Sequence, residues 1–175
     1  ARAHRMMGLA ALAAERYVEA VDYLTNAQEL SETSGIQYER MMAAYARALA
    51  EFMTGSLGKA MRASQQAAES AASIFRVDAQ AAIESLLGRM DMELGAYDEA
   101  ARRYQAMHAF CQTYGLEEAA VRASAWRGRA LSYAGAYDDA CAVLDRLADD
   151  PEARVFRGEL EILRGRPRDA RPWLK

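Results

Sequence analysis

The sequence predicts an all-α fold, a solenoid of antiparallel helix pairs with a 40-residue period. The segment Gly95–Ala100 recurs one period later as Gly135–Ala140, and at earlier periods as Gly55–Ala60 and Glu15–Ala20. A fifth copy, Gly165–Ala170, follows out of step. Internal repeats of roughly 20–50 residues are typical of proteins in which each repeat packs mainly against its neighbours. Such proteins usually bind partners along an extended surface.

The segments between these turns have the composition of helices. Ala, Leu, Met, Glu, Arg and Gln dominate them, and all six residue types favour helix formation. The three prolines, Pro151, Pro167 and Pro172, lie near the C-terminus, so the first 150 residues contain no strong helix breaker. No stretch of useful length alternates polar and apolar residues, so no strand is predicted. The predicted helices are 2–14, 17–33, 38–54, 57–74, 77–94, 97–113, 117–134, 137–148, 152–164 and 167–174.

Glycines at matching positions predict where the second helix of a pair ends. Gly35 precedes Ile36, and Gly115 precedes Leu116. A glycine can adopt the left-handed conformation that ends a helix, and the apolar residue after it can fold back onto the last turn. The intervening repeat has Ser73–Arg76 at this point, which is a weaker stop signal.

The repeats predict one continuous domain over residues 1–175. The five repeats span about 1–38, 39–76, 77–116, 117–150 and 151–175, and the last repeat is incomplete. Because the first residue is Ala1 rather than Met, and the last helix is cut short at Lys175, we expect a fragment of a longer protein.

Composition and charge narrow the classes of partner. The chain is 52% hydrophobic and 27% charged, which is ordinary for a globular domain. Its net charge of -3 argues against direct nucleic-acid binding, which needs a basic excess. No apolar run is long enough to span a bilayer, so we expect a cytoplasmic protein without a membrane partner. Abundant alanine, with Lys59 and Lys175 as the only lysines, indicates a bacterial source.

The repeat columns carry a family resemblance. Small residues fill one column of the first helices, at Gly8, Ala48, Gly88 and Gly128. The third repeat also has Leu87, Gly95, Tyr97, Ala100 and Tyr104 at the expected positions. In this pattern the chain resembles a tetratricopeptide repeat (TPR) array. The resemblance implies a right-handed superhelix in which the small residues let paired helices approach closely, with Tyr17, Tyr97 and Tyr137 in equivalent, largely buried sites.

A looser resemblance concerns the repeat length. A step of 40 residues is longer than that of the usual repeat, and in this the chain resembles the helical repeat regions of bacterial maltose-activator-like and large LuxR-type transcription regulators. This resemblance implies a regulatory module.

No pattern of catalytic or metal-binding residues is present. The sequence contains no nucleotide-binding loop, nucleophile elbow, zinc-protease motif or CxxC pair. His4 and His108 lie in different repeats, so a metal site shared by them is not expected. Cys111 and Cys141 are interpreted as buried free thiols, and a disulfide between them stays open only if their helices align. Glu51 and Asp91 share a column but are interpreted as solvated or arginine-paired carboxylates. We therefore expect neither an enzyme nor a bound metal or cofactor.

The first helices supply a candidate groove. In repeat two one helical stripe consists of Met42, Tyr45, Leu49 and Phe52. In repeat four the corresponding stripe is Arg122, Ala125, Arg129 and Ser132. Arginines expected on either side of the apolar stripe are Arg2, Arg5, Arg89, Arg122 and Arg129. Two interpretations are open: the apolar stripe packs in the core, or it forms a recognition groove in which arginines pair with carboxylates or phosphates.

These observations predict a non-catalytic scaffold that binds a protein or peptide, as one module of a bacterial regulatory protein. The alternative is the sensing domain of a transcription regulator, which binds a small-molecule effector or a signalling peptide. An enclosed pocket at Tyr45, Phe52, Trp126 and Tyr133 would favour the sensor, and an open groove would favour the scaffold. The partner, the pathway and the oligomeric state are left open by the sequence.

Overall fold

The computed structural model describes residues 1–173, and these contain helices and turns but no strand. The all-α prediction is therefore confirmed. The helices are α1 (Arg2–Ala13), α2 (Tyr17–Ser34), α3 (Gln37–Met53), α4 (Leu57–Ser73), α5 (Val77–Glu93), α6 (Tyr97–Thr113), α7 (Glu117–Tyr133), α8 (Tyr137–Leu144), α9 (Pro151–Leu163) and α10 (Pro167–Ala170). Odd-numbered helices are the first helices of their pairs, and even-numbered helices are the second.

The chain forms two compact units. The first runs from Ala1 to Met90 and contains α1–α4 with most of α5, and the second begins at Asp91. In the first unit α2 packs between α1 and α3, and α3 also packs on α4. In the second unit α7 contacts α6, α8 and α9. First helices that are neighbours in the stack thus touch directly, α1 with α3 and α7 with α9.

Two glycines set the spacing within a helix pair. A Cβ atom at Gly8 would lie 2.5 Å from Cγ of Leu24, and one at Gly128 would lie 2.6 Å from Cγ of Leu144. Both leucines are almost fully buried. The leucine of the second helix therefore occupies the space that a side chain on the first helix would need. The predicted role of the small-residue column is confirmed at these two positions.

The turns between pairs follow the predicted stops, with one departure. Gly35 and Gly115 have φ values of 68° and 69°, the left-handed conformation that glycine adopts without strain. Phe75 occupies the matching position in the intervening repeat and takes a φ of 55°. Its side chain is 87% exposed, so no packing offsets the backbone strain.

Two predicted helices are too long. Helix α8 ends at Leu144 rather than 148 and continues as a 3-10 turn over Asp145–Leu147. The next helix begins early, because Asp150 caps α9 by accepting a hydrogen bond from the backbone N–H of Ala153 (2.8 Å). Helix α10 ends at Ala170, and Pro172 lacks the N–H that would continue it. The prediction that α10 reaches residue 174 falls partly outside the described residues.

Three of the second helices begin at a tyrosine, at equivalent positions of their repeats. Tyr17, Tyr97 and Tyr137 are the first residues of α2, α6 and α8, as the 40-residue period requires. Each is half-buried rather than largely buried, because the first turn of each second helix lies at the edge of its pair.

Candidate functional site

The apolar stripe of α3 lies at the border between core and solvent. Met42, Tyr45, Leu49 and Phe52 are all half-buried and pack against a core cluster that contains Met41, Ile83 and Met90. The neighbouring face of α3 carries residues that are fully buried, among them Ala44 and Ala48. The stripe thus combines features of both open interpretations: it contributes to the core and presents part of each side chain to solvent.

An arginine side chain lies over one ring of this stripe. The guanidinium carbon of Arg89, on α5, lies 5.3 Å from the ring centre of Phe52. Burial raises the pKa of Tyr45, and the nearby charge of Arg89 acts in the opposite direction. Met42, Tyr45, Leu49, Phe52 and Arg89 together are called the α3 surface below.

The two N-terminal arginines have different roles in the first unit. Nε and Nη2 of Arg5 donate to the two carboxylate oxygens of Glu39 at 2.8 and 3.3 Å. The side chains of this pair are only 11% and 13% exposed, and the hydrogen bond from Arg5 lowers the pKa of Glu39. Arg5 therefore ties α1 to α3. Arg2 is exposed, and its charge also favours the ionised form of Glu39.

In the second unit a guanidinium lies over three aromatic rings. The guanidinium carbon of Arg129 is 4.8 Å from the ring centre of Phe156, 5.1 Å from that of Trp126 and 5.7 Å from that of Tyr133. Its Nε and Nη2 donate to the carboxylate of Glu159 at 2.9 and 3.3 Å. A partly exposed ion pair of this kind is worth about 0–1 kcal/mol. Trp126, Arg129, Tyr133, Phe156 and Glu159 are called the Arg129 surface below.

The rings beneath Arg129 are fixed by further contacts. The Trp126 and Phe156 rings meet edge to face at 5.1 Å, and the Trp126 and Tyr104 ring centres are 6.0 Å apart. The indole N–H of Trp126 donates to a carboxylate oxygen of Glu152 (3.1 Å). Such a floor of packed, hydrogen-bonded rings holds the cation in one place.

The predicted stripe of repeat four is rotated relative to the observed surface. Ala125 and Ser132 are buried at 0% and 3% exposure, whereas Trp126 is half-buried and Tyr133 is 39% exposed. The sequence indicates Trp126 and Tyr133 only as part of an aromatic pocket, and the stripe predicted for repeat four omits them because it follows the spacing of repeat two. The signal that indicates them is their spacing of three and four residues from Arg129, which places all three on one helix face. Arg122 is exposed near the start of α7.

The second unit also has a cleft between α6 and α7. It has a volume of about 460 Å³, and its lining includes His108, Cys111, Ser124 and Leu147. Nδ1 of His108 lies 3.0 Å from the backbone carbonyl oxygen of Ala120 and 2.8 Å from Oγ of Ser124. These two contacts on one ring nitrogen fix the orientation of the imidazole between α6 and α7.

The two thiols are not joined. Cys111 and Cys141 are both free; Cys111 is buried, as expected, whereas Cys141 is half-buried. Burial raises the pKa of Cys111, which favours the neutral thiol over the reactive thiolate. Arg164 donates to Sγ of Cys141 at 3.2 Å.

Of the two acidic residues that share a repeat column, Glu51 and Asp91, the second is paired with an arginine. Asp91 accepts a hydrogen bond from Nε of Arg103 (2.7 Å), as the interpretation of a paired carboxylate requires. Over residues 1–173, no cluster of three or more His, Cys, Asp or Glu side chains could hold a metal ion. In the same range no helix has the length and apolar character needed to cross a bilayer.

Solved structures with the same arrangement of helix pairs are TPR-like repeat proteins. The nearly identical TPR-like repeats of a kinesin light chain-type protein from Podosopora anserina match at a TM-score of 0.81 and 15% identity, over 99% of this chain and 90% of that chain. This chain has a TPR-like fold. A Rap protein complexed with Competence and Sporulation Factor matches at a TM-score of 0.76 and 18% identity. That match covers 98% of this chain and 51% of the Rap chain. No protein-family model and no curated protein matches the sequence.

Proposed function

We propose that this TPR-like chain is a non-catalytic scaffold that binds a protein or peptide through the first helices of its pairs. The observation that carries the proposal is that each unit presents half-exposed aromatic side chains with a guanidinium stacked on them, at the α3 surface and at the Arg129 surface. Extended surfaces of this kind are what helical repeat proteins use to bind partners. The Rap structure, which contains a bound factor, supports the same use of the fold.

Physical chemistry assigns different roles to the two kinds of side chain. Buried aromatic anchors dominate the free energy of binding, and removing one typically costs about 2 kcal/mol or more. Arginines at the margin of an interface mainly set orientation and the association rate. Arg2, Arg89 and Arg122, which are exposed, belong to this second group. Arg5 positions Glu39 and α1 rather than a ligand.

The finer proposal is that the scaffold is one module of a bacterial regulatory protein in the cytoplasm. It rests on the 40-residue repeat length and its resemblance to the helical arrays of transcription regulators. Partner binding would then be read out by another part of such a regulator.

A second candidate function is that of a sensing domain for a small-molecule effector. The observation that favours it is the cleft of about 460 Å³ between α6 and α7, where His108 and Ser124 supply polar groups beside the apolar Leu147. Nε2 of His108, the ring nitrogen that faces neither Ala120 nor Ser124, could form a hydrogen bond with such an effector. The test is to titrate small molecules one at a time and to measure the unfolding temperature. A rise that saturates with concentration, and that His108→Leu abolishes, would favour the sensor.

The scaffold proposal is tested by selecting binders from a library of random linear peptides and measuring the tightest one against variants. We expect Phe52→Ala to raise the Kd of this peptide about 30-fold, through faster dissociation. Arg89→Gln, at an exposed position, should slow association at low salt and have little effect at high salt. Helicity and unfolding are measured in parallel, because Phe52 also packs against the core.

Arg62→Gln is the matched control, because Arg62 is an exposed arginine on the second helix α4. It should leave both Kd and association rate unchanged. The proposal is wrong if the wild-type chain enriches no peptide. It is also wrong if folded Phe52→Ala and Arg89→Gln variants bind as the wild type does.

A further inference from the structure

We infer that Arg129 is a carboxylate-binding position of the proposed scaffold, and that Glu159 is an internal occupant which a partner's acidic side chain displaces. The inference rests on the proposed function and names the chemistry of the partner. Its starting observation is that the guanidinium already holds a carboxylate side-on, through Nε and Nη2. This two-bond geometry is the one by which arginine recognises carboxylates in partners.

The guanidinium keeps its place without Glu159. Three ring centres lie within 5.7 Å of its carbon, those of Phe156, Trp126 and Tyr133. Phe156 is buried and Trp126 is hydrogen-bonded to Glu152, so these rings do not depend on Glu159 for their positions. Release of Glu159 therefore leaves a preorganised cation rather than a mobile side chain, which lowers the entropic cost of binding a second carboxylate.

The internal pair is exposed enough to exchange. The side chains of Arg129 and Glu159 are 26% and 31% exposed. The Arg5–Glu39 pair has the same two-bond geometry, but its side chains are 11% and 13% exposed. Water already reaches the Arg129 pair, so an incoming carboxylate replaces one solvated partner with another. We assign Arg5–Glu39 as a permanent tie and Arg129–Glu159 as the exchangeable contact.

The helix face around Glu159 indicates what accompanies the acidic group. Val155 is 45% exposed and Ile162 is 52% exposed, and they lie one turn before and one turn after Glu159 on α9. A peptide that places its carboxylate on Arg129 therefore meets apolar side chains on either side of that point. The partner segment that fits is an acidic residue flanked by apolar residues.

The test repeats the selection from a random peptide library with the wild type, with Glu159→Gln and with the double variant Arg129→Gln, Glu159→Gln. Glu159→Gln keeps the size of the side chain and removes the competing charge. We expect its selected peptides to be richer in Asp and Glu than those of the wild type. A capped peptide with one Glu between apolar residues should bind Glu159→Gln about tenfold more tightly than the wild type. The same peptide with Gln in place of Glu should show no gain.

Asp139→Asn is the control for net charge, because it removes an exposed carboxylate from the second helix α8 and leaves the rings under Arg129 in place. The peptides selected by this control should be no richer in Asp and Glu than those selected by the wild type. In the double variant Arg129→Gln, Glu159→Gln the gain should disappear. If the wild type enriches peptides but Glu159→Gln adds no acidic preference, the inference is overturned and the scaffold proposal stands. If none of the proteins enriches peptides, both are overturned.

Discussion

Gly128→Ala is expected to lower the free energy of unfolding by about 1–3 kcal/mol, although alanine normally stabilises a helix. The reason is that the new Cβ would lie 2.6 Å from both Cγ and Cδ2 of Leu144, whose side chain is fully enclosed. Urea unfolding followed by circular dichroism measures the effect, with the slope m as a check that the unfolded state is unchanged. Gly8→Ala should lower the free energy of unfolding in the same way, because its Cβ would clash with Leu24.

Two comparisons separate this clash from a general effect of alanine. Gly58 is also helical, but its Cβ would meet only Nη1 of Arg62 at 3.8 Å, so Gly58→Ala should stabilise by about 0.5–1 kcal/mol. Leu144→Ala alone should cost about 2–5 kcal/mol. In that background Gly128→Ala should become stabilising, because the obstructing leucine is gone. A Gly128→Ala variant that is as stabilised as Gly58→Ala would contradict this account of pair spacing.

Arg103→Val is expected to lower the free energy of unfolding by about 3–5 kcal/mol at neutral pH. Asp91 is 4% exposed and accepts from Nε of Arg103 at 2.7 Å, so removal of the arginine leaves a buried carboxylate without this partner. The size of the effect comes from the stranded charge, since an intact buried ion pair contributes little net stability. Thermal and urea unfolding measure it.

The neighbouring arginine provides the control. Arg102 pairs with Glu99, and both side chains are more than half exposed, so Arg102→Val should change stability far less. One period later the chain has Leu131 and Val143 at the positions of Asp91 and Arg103. The double variant Asp91→Leu, Arg103→Val copies that apolar pair and should recover most of the lost stability. Equal losses in the Arg102 and Arg103 variants would contradict the role of the buried pair.

The helix pairs were predictable because their determinants are local or periodic. Two kinds of position are visible in the sequence. Left-handed turns are marked by Gly35 and Gly115, and close approach of paired helices is marked by Gly8 and Gly128. Phe75 was recognised as a weak stop, but its left-handed backbone conformation could not be predicted, because the repeat imposes that conformation on a residue that disfavours it. The early end of α8 lies next to the fifth repeat, which does not follow the 40-residue step.

The surfaces were less predictable because they depend on tertiary packing. The spacing of the α3 stripe specifies one helix face, yet the division of that face between core and solvent depends on how α5 packs beside it. The partners of Arg5 and Arg129 lie 34 and 30 residues away in sequence, on the next first helix. Periodicity does not specify such pairs. The rotation of α7, which brings Trp126 and Tyr133 to Arg129, likewise follows from packing on its neighbours.

The most direct test of the central proposal, that the first helices bind a peptide, is to map a selected peptide on the isotopically labelled chain by NMR. The proposal predicts that the largest chemical-shift changes fall on Tyr45 and Phe52 in one unit or on Trp126 and Tyr133 in the other. Changes confined to the second helices α2, α4, α6 and α8, or to the turn at Phe75, would contradict it.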